Sequence, residues 1–251
     1  MPRKFIYLIV VLYFLSMGAI AKIIEVPEAV AGPMMLQIAA GNTPTGGAPA
    51  ALTCTTDTPT SNDGSGNLSW THTTSGTNRY LIVVVGQLND GGTGDPTAVT
   101  FDGVDMTAAT PLWTSVRFSY RSTAYGLIAP AIGAATVAIT VNNSNNNVAG
   151  AISCSGVDQS IPVGTAVTAN GFGSLISVTA ATASGEYVID GGVMNKTGLT
   201  VGADQDEEIN RTNNGASLVM STQDGVDGGV MTWVTPEGHW ATGAIPIKPA
   251  N

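Results

Sequence analysis

The stretch ATVAITVN, residues 135–142, is the clearest guide to the fold, because large apolar and small or polar side chains alternate along it. Val137, Ile139 and Val141 would share one face of a strand, which is the period-two pattern of a half-buried β-strand. Turn residues separate similar stretches roughly every 8–12 positions, and no stretch from residue 50 onward sustains a helical apolar period. The sequence therefore predicts an all-β fold, an antiparallel β-sandwich or jelly roll.

Strand assignments follow from the same pattern applied along the whole domain. The hairpin signal Asp102-Gly103 separates two of them. The predicted strands are 67–73, 79–88, 98–103, 105–110, 112–121, 122–129, 135–142, 147–156, 175–181, 186–194, 216–222, 229–235 and 239–248.

Residues 1–21 differ in composition from the rest of the chain. Arg3 and Lys4 precede an apolar run that ends in Ala19-Ile20-Ala21, the small-x-small pattern of a secretory signal peptide. An uncleaved anchor is the alternative, because the run is at the short limit for crossing a bilayer. In both cases we expect export, to a secreted, cell-surface or virion location, with membrane contact only through this segment if it stays uncleaved.

Residues 22–49 form a Pro- and Gly-rich tether that precedes the β-sandwich domain, residues 50–251. The apolar part of the tether, residues 23–38, carries several large aliphatic side chains that a solvated linker would not need. Docking on its own domain is one interpretation. Because lysine is nearly absent as an edge guard, we expect instead that residues 23–38 mediate self-association in a homo-oligomer or filament.

Charge excludes one class of partner. Charged residues make up 11% of the chain, the net charge is −9, and no cluster of Lys or Arg follows Lys4. Nucleic-acid binding draws its affinity from phosphate contacts by basic side chains, so nucleic acid is not an expected ligand.

Two cysteines occur, Cys54 and Cys154, each in a predicted strand or beside one. In an exported protein, a pair of cysteines favours a disulfide. Two buried free thiols are the alternative, since a sequence does not show whether the two strands are neighbours.

The order of motifs resembles a family of β-sandwich modules. These motifs are WTH (70–72), NRYLIVVVG (78–86), VTFDGVDMT (99–107), AYGLIAP (124–130), AISCSGVDQSIPVG (151–164) and HWATGAIPIKPA (239–250). They resemble a jelly-roll-like module found in phage structural proteins and in secreted or surface proteins of bacteria, and the most recognisable element is S-G-V-D-Q-x-x-P. The resemblance implies a role in display, assembly or attachment, and it implies no catalytic residue.

The S-G-V-D-Q-x-x-P element, although polar, is itself predicted to be a turn. Gly156 can adopt a positive φ, Asp158 can cap the following amides in an Asx-turn, and Pro162 fixes the exit direction.

Candidate catalytic groups are few. His72 and His239 lack the spacing of a zinc site, and no G-x-S-x-G elbow marks a nucleophilic serine. A glycoside hydrolase needs two facing carboxylates, for which Glu186 and Asp190 are the first candidates. We expect a non-enzymatic protein, with a jelly-roll glycoside hydrolase as the second alternative.

Two ligand hypotheses remain. Calcium is the one cofactor considered, because Asp90, Asp95, Asp204 and Asp206 lie in Gly-Asp segments that resemble extracellular calcium loops, although such segments are usually plain turns. Carbohydrate binding or adhesion is the first functional alternative, because aromatic rings stack on sugars. Its candidate residues are Trp113, Trp233, Trp240 and Tyr125.

Overall fold

The computed structural model describes residues 51–54, 57–88, 95–107, 111–142, 146–213, 215–225 and 229–251. Every regular element in these ranges is a β-strand, and every strand pair is antiparallel. The all-β prediction is therefore confirmed. The signal or anchor segment 1–21 and the tether 22–49 lie outside the described residues.

The strands pair into three sheets. The strands in chain order are β1 (Thr60–Ser65), β2 (Leu68–Thr74), β3 (Tyr80–Leu88), β4 (Ala98–Phe101), β5 (Val104–Asp105), β6 (Trp113–Arg117), β7 (Tyr120–Ile128), β8 (Gly133–Thr140), β9 (Asn146–Cys154), β10 (Val167–Ala180), β11 (Tyr187–Met194), β12 (Thr200–Val201), β13 (Asp206–Asn213), β14 (Ala216–Asp224) and β15 (Gly229–Ile247). The central sheet has the order β1-β9-β3-β7-β6, the long-strand sheet β10-β15-β11-β14-β13 with β12 on β15, and the small sheet β2-β8-β4-β5.

The central sheet is buried on both faces. All residues of β3 are buried, so this strand is a continuous apolar run and does not alternate with polar residues. Ile82 and Val84 pack towards the long-strand sheet, whereas Leu81 and Val83 pack towards the small sheet. Two separate hydrophobic interiors therefore flank the central sheet, one on each side.

Strands β10 and β15 form a long ribbon that bends back over the long-strand sheet. The bend lies at the bulge between Gly173 and Leu175, opposite Pro236–Gly238. Beyond it, Met231 of β15 packs with Val188 on the face of β11 that points away from the central sheet. The ribbon thus covers a face that would otherwise be exposed to solvent.

Several predicted boundaries are wrong, and the ribbon explains the largest errors. The predicted strands 229–235 and 239–248 are one strand, β15, and the predicted strand 175–181 is the second half of β10. The predicted strand 112–121 is interrupted by a turn at Phe118 and Ser119. Asp206, considered for calcium, is the first residue of strand β13 (Asp206–Asn213), which was not predicted.

Cys54 and Cys154 form a disulfide, and the S-G-V-D-Q-x-x-P element follows it directly. Gly156 has φ 72°, and Asp158 Oδ1 accepts hydrogen bonds from the amides of Ser160 and Ile161 at 2.7 and 3.1 Å. The predicted Asx-turn is confirmed. The same turn holds the C-terminal strand, because the Asp158 amide donates to the carbonyl of Lys248.

Candidate functional site

The most unusual surface feature is a group of aromatic side chains at the bend of the ribbon, here called the aromatic cluster: Phe118, Tyr120, Phe172 and His239. The exposed fractions are 67% for Phe118 and 55% for Phe172. Their ring centroids lie 4.4 and 4.8 Å from the imidazole centroid of His239, and Tyr120 stacks at 6.4 Å with an interplanar angle of 18°. Large aromatic rings normally bury most of their surface, so a contiguous exposed group indicates an interaction site.

One hairpin, β6–β7, and one strand pair, β10–β15, bring the aromatic cluster together. Phe118 is the first residue of the two-residue turn between β6 and β7, while Phe172 and His239 are direct cross-strand partners on β10 and β15. The strand order places β6 and β10 at edges of the two sheets that pack through the first hydrophobic interior. The aromatic cluster therefore joins the edges of two sheets and includes both sides of the bend.

Phe118 adopts a strained backbone conformation. Its φ of 56° lies in the left-handed region, which Gly and Asn tolerate and which is an outlier for a bulky side chain. Such strain costs on the order of 1–3 kcal/mol and concentrates at functional sites. Gly or Asn at position 118 would form the same turn with less backbone strain.

One cation borders the aromatic cluster. The guanidinium carbon of Arg117 lies 4.7 Å from the ring centroid of Phe118. Within the described ranges Arg117 forms no ion pair, whereas Arg121 and Arg211 are paired with Asp95 and Asp63. The cluster therefore has a cation at its border, although the protein as a whole is acidic.

His239 is held in place through its backbone. Its amide donates a 3.0 Å hydrogen bond to Asn195 Oδ1, and its carbonyl accepts one from the Asn195 amide. The ring atom Nδ1 is buried and has no hydrogen-bond partner among the described residues. The imidazole is thus positioned by the strand pair and by its aromatic neighbours, and one ring nitrogen is left without a partner.

The aromatic residues predicted for glycan binding are not at this site. Trp113, Trp233, Trp240 and Tyr125 are all buried, with exposed fractions of 4%, 0%, 9% and 5%. A strand tryptophan can face either side of a sheet, and here each faces an interior. None of these four has a solvent-exposed ring, and the exposed aromatic residues Phe118 and Phe172 were not predicted.

The contacts of Asp190 indicate a structural role and do not support a catalytic one. Its carboxylate is buried between β11 and the bent ribbon, where it accepts hydrogen bonds from the Ser221 amide and hydroxyl and from Trp233 Nε1, at 2.7, 2.7 and 2.8 Å. Burial raises the pKa of Asp190 to about 6, although these donors act in the opposite direction. Glu186 does not face it, because Glu186 Oε2 accepts a hydrogen bond from the Ala183 amide and closes a turn.

His72 belongs to a second buried polar network, between the central and small sheets. His72 Nδ1 lies 2.8 Å from Thr60 Oγ1, and Nε2 lies 3.3 Å from Ser153 Oγ, which in turn donates to Asp57 Oδ2 at 2.7 Å. Burial lowers the pKa of His72 to about 4, against the opposing effect of Asp57. The residue types match a catalytic triad, but the serine lies between the histidine and the aspartate, and both His72 and Ser153 are closed to solvent.

The predicted calcium ligands do not converge. Asp90 lies outside the described residues, and Asp95 Oδ1 accepts hydrogen bonds from Thr114, Thr123 and Arg121. Asp206 is an exposed residue of β13, and Asp204 precedes that strand with φ 62°. No group of metal-ligating side chains occurs in the part of the chain that the structure describes.

The chain matches no family model, no curated protein sequence and no solved structure. Across the described residues, no helix has the length and hydrophobicity needed to cross a membrane.

Proposed function

We propose that the chain is a jelly-roll-like structural module of an extracellular surface assembly, filament or virion, and that it joins neighbouring subunits through strand addition. The observation that carries this proposal is the unguarded edge of β10. The sequence VTANGFGSLISVTA contains no charged residue and no proline. Natural sheets protect their edges with charges, prolines or covering elements, so a long neutral edge favours pairing with another strand.

The opposite edge of the same sheet provides the contrast. Strand β13, DEEINRTN, carries four charged residues: Asp206, Glu207, Glu208 and Arg211. Edge β10 is also partly covered: near its start, Ser115 of β6 donates a hydrogen bond to the carbonyl of Ala169. The section from Leu175 to Ala180 remains the open part, and Leu175 and its cross-strand partner Val234 are both 55% exposed.

The partner that we propose for this edge is residues 23–38 of a neighbouring subunit. This segment contains the large aliphatic residues of the tether and ends in MMLQI, residues 34–38. An extended chain covers at most about 3.3–3.6 Å per residue, so the residues between Ile38 and Ala51 could span roughly 40 Å. That reach is sufficient for a neighbouring domain, and edge pairing would add main-chain hydrogen bonds to the burial of apolar side chains.

Export is part of the proposal, and the disulfide supports it. Structural disulfides persist in oxidising compartments and are rare in the cytosol. The bond between Cys54 and Cys154 joins residues 100 positions apart, and the N-terminal sequence has the pattern of a signal peptide or anchor. A low content of charged residues, 11% of the chain, agrees with an extracellular display module.

The test uses the full exported chain and measures its assembly state by light scattering and electron microscopy. Thr179→Lys places a charge on the open section of β10, and Leu36→Asp with Ile38→Asp makes the proposed partner segment polar. Both variants should dissociate the assembly and leave the β-type circular dichroism unchanged. The matched control is Thr136→Lys, an equally exposed threonine on β8, which lies inside the small sheet. A monomeric unmodified protein, or an assembly that both variants leave intact, would refute the proposal.

A further inference from the structure

The aromatic cluster carries an inference that goes beyond assembly: we infer that it is a binding site for a carboxylated sugar, such as a hexuronic acid residue of a polysaccharide. Phe118 and Phe172 are exposed, and both rings contact the His239 imidazole. The apolar C–H face of a pyranose stacks on exposed aromatic rings. Arg117 selects among sugars, because a guanidinium pairs with a carboxylate.

The charge distribution argues for an acidic ligand. The chain has a net charge of −9, so Arg117, a cation without an ion-pair partner among the described residues, is a local exception. Arg117 is held by its position over the Phe118 ring, and a guanidinium that is already ordered loses little entropy on binding a carboxylate. A neutral sugar would use the rings and leave this cation without a role.

The charge of Arg117 argues against a two-fold contact with a second copy of the chain at this surface. A two-fold contact is self-complementary, so the surface would meet itself. Arg117 of one subunit would then approach Arg117 of the other, and like charges in contact disfavour association. The open section of β10, where we place the subunit contact, begins at Leu175 and does not include Arg117.

The backbone strain at Phe118 supports a ligand site independently of the charge of Arg117. An exposed phenylalanine at φ 56° stabilises neither the turn nor an interior, whereas asparagine would satisfy the same backbone conformation. Replacing Phe118 by Asn should therefore raise thermal stability and weaken ligand binding. A purely structural role for the ring would lower stability.

The experiment measures binding of the unmodified chain to polygalacturonate oligomers by calorimetry, with the fully methyl-esterified oligomers as the matched neutral ligand. We expect binding to the acid form that weakens with added salt, and at least tenfold weaker binding to the ester. Phe118→Asn should reduce affinity for the acid at least tenfold and raise the melting temperature by about 2–4 °C. Arg117→Gln should reduce affinity for the acid and leave the residual affinity for the ester unchanged.

The control variant is Ile132→Asn, which removes an apolar side chain that is 71% exposed in the turn before β8; it should bind as the unmodified chain does. No binding of polygalacturonate, equal binding of the acid and its ester, or wild-type affinity in Phe118→Asn would each overturn the inference. A change of assembly state in Phe118→Asn would also overturn it, because the cluster would then be a subunit contact. A negative result in these binding experiments does not affect the proposal for β10, because the test of that proposal measures assembly and not ligand binding.

Discussion

The hydrogen bond from Trp233 to Asp190 should be the strongest single polar contact that holds the bent ribbon on its sheet. Trp233 is fully buried on β15, and its Nε1 donates at 2.8 Å to a carboxylate that has no cationic partner. Trp233→Phe removes this donor and leaves most of the ring volume in place. A hydrogen bond to a charged group contributes about 1.5–3 kcal/mol, and we expect a loss of that size at pH 7.5 beyond the cost of the smaller ring.

The chain offers a matched control in Trp240. It belongs to the same apolar group as Trp233, and its Nε1 has no hydrogen-bond partner among the described residues. Trp240→Phe therefore makes the same chemical change without the loss of a hydrogen bond. The difference between the two variants reports the bond to Asp190 together with the desolvation cost that Trp240→Phe removes with its unpaired Nε1.

The pH dependence has a definite sign. Burial raises the pKa of Asp190 to about 6 from an ordinary value of 3.8, so the cost of its buried charge is complete above pH 6 and falls away as the pH decreases from 6 towards 3.8. At pH 4.5 the carboxyl is neutral in the folded state, and a neutral hydrogen bond contributes only about 0.5–1.5 kcal/mol. The excess cost of Trp233→Phe over Trp240→Phe should therefore shrink by about half on acidification.

The assay is urea unfolding, followed by far-ultraviolet circular dichroism, at pH 7.5 and pH 4.5. Nuclear magnetic resonance titration of the Asp190 carboxyl carbon gives a second readout, because loss of the indole donor should raise its pKa further. If the two variants lose the same free energy of unfolding at both pH values, the bond does not hold the ribbon and the reasoning is refuted.

Two further predictions concern the other interior and the disulfide. Burial lowers the pKa of His72 to about 4 from an ordinary value of 6.5. The contribution of His72 to stability is therefore complete above pH 6.5 and falls away towards pH 4. Relative to His72→Gln, the unmodified protein should lose about 2–3 kcal/mol of unfolding free energy between pH 7.5 and 4.5, as measured by urea unfolding. Equal pH dependence in both proteins would contradict this. Replacing Cys54 and Cys154 by Ala opens a loop of 100 residues and should lower the free energy of unfolding by about 4–5 kcal/mol, whereas a loss below about 1 kcal/mol would mean that the unfolded chain gains little freedom.

Local sequence patterns were sufficient to predict the strands whose burial is the same along their whole length. The predicted strand 79–88 is β3 within one residue, because an apolar run of this length fits only a strand that is buried on both faces. The turn at Gly156 was also predictable, since its geometry depends on neighbouring residues alone: a glycine with positive φ and an aspartate that caps the next amides.

The aromatic cluster was not predictable for two reasons. Phe118 and Ser119 form a tight turn without the Gly or Asn that normally marks one, so the sequence pattern continued as a single strand through 112–121. Phe172 and His239 lie far apart in sequence, and only the register of β10 on β15 makes them partners. The one available signal was the HW pair at 239–240, whose histidine was considered only for a zinc site.

Sequence alone determined the all-β class, most strands and the turn at Gly156, because period-two alternation and turn chemistry are properties of neighbouring residues. Tertiary structure alone decided which tryptophans are buried, the joining of β15 into one bent strand and the disulfide pairing. It also placed Asp190 under Trp233 and Phe118 beside His239. Alternation shows that a strand has two faces, but the element that covers each face depends on contacts between residues distant in sequence, and no local pattern specifies those contacts.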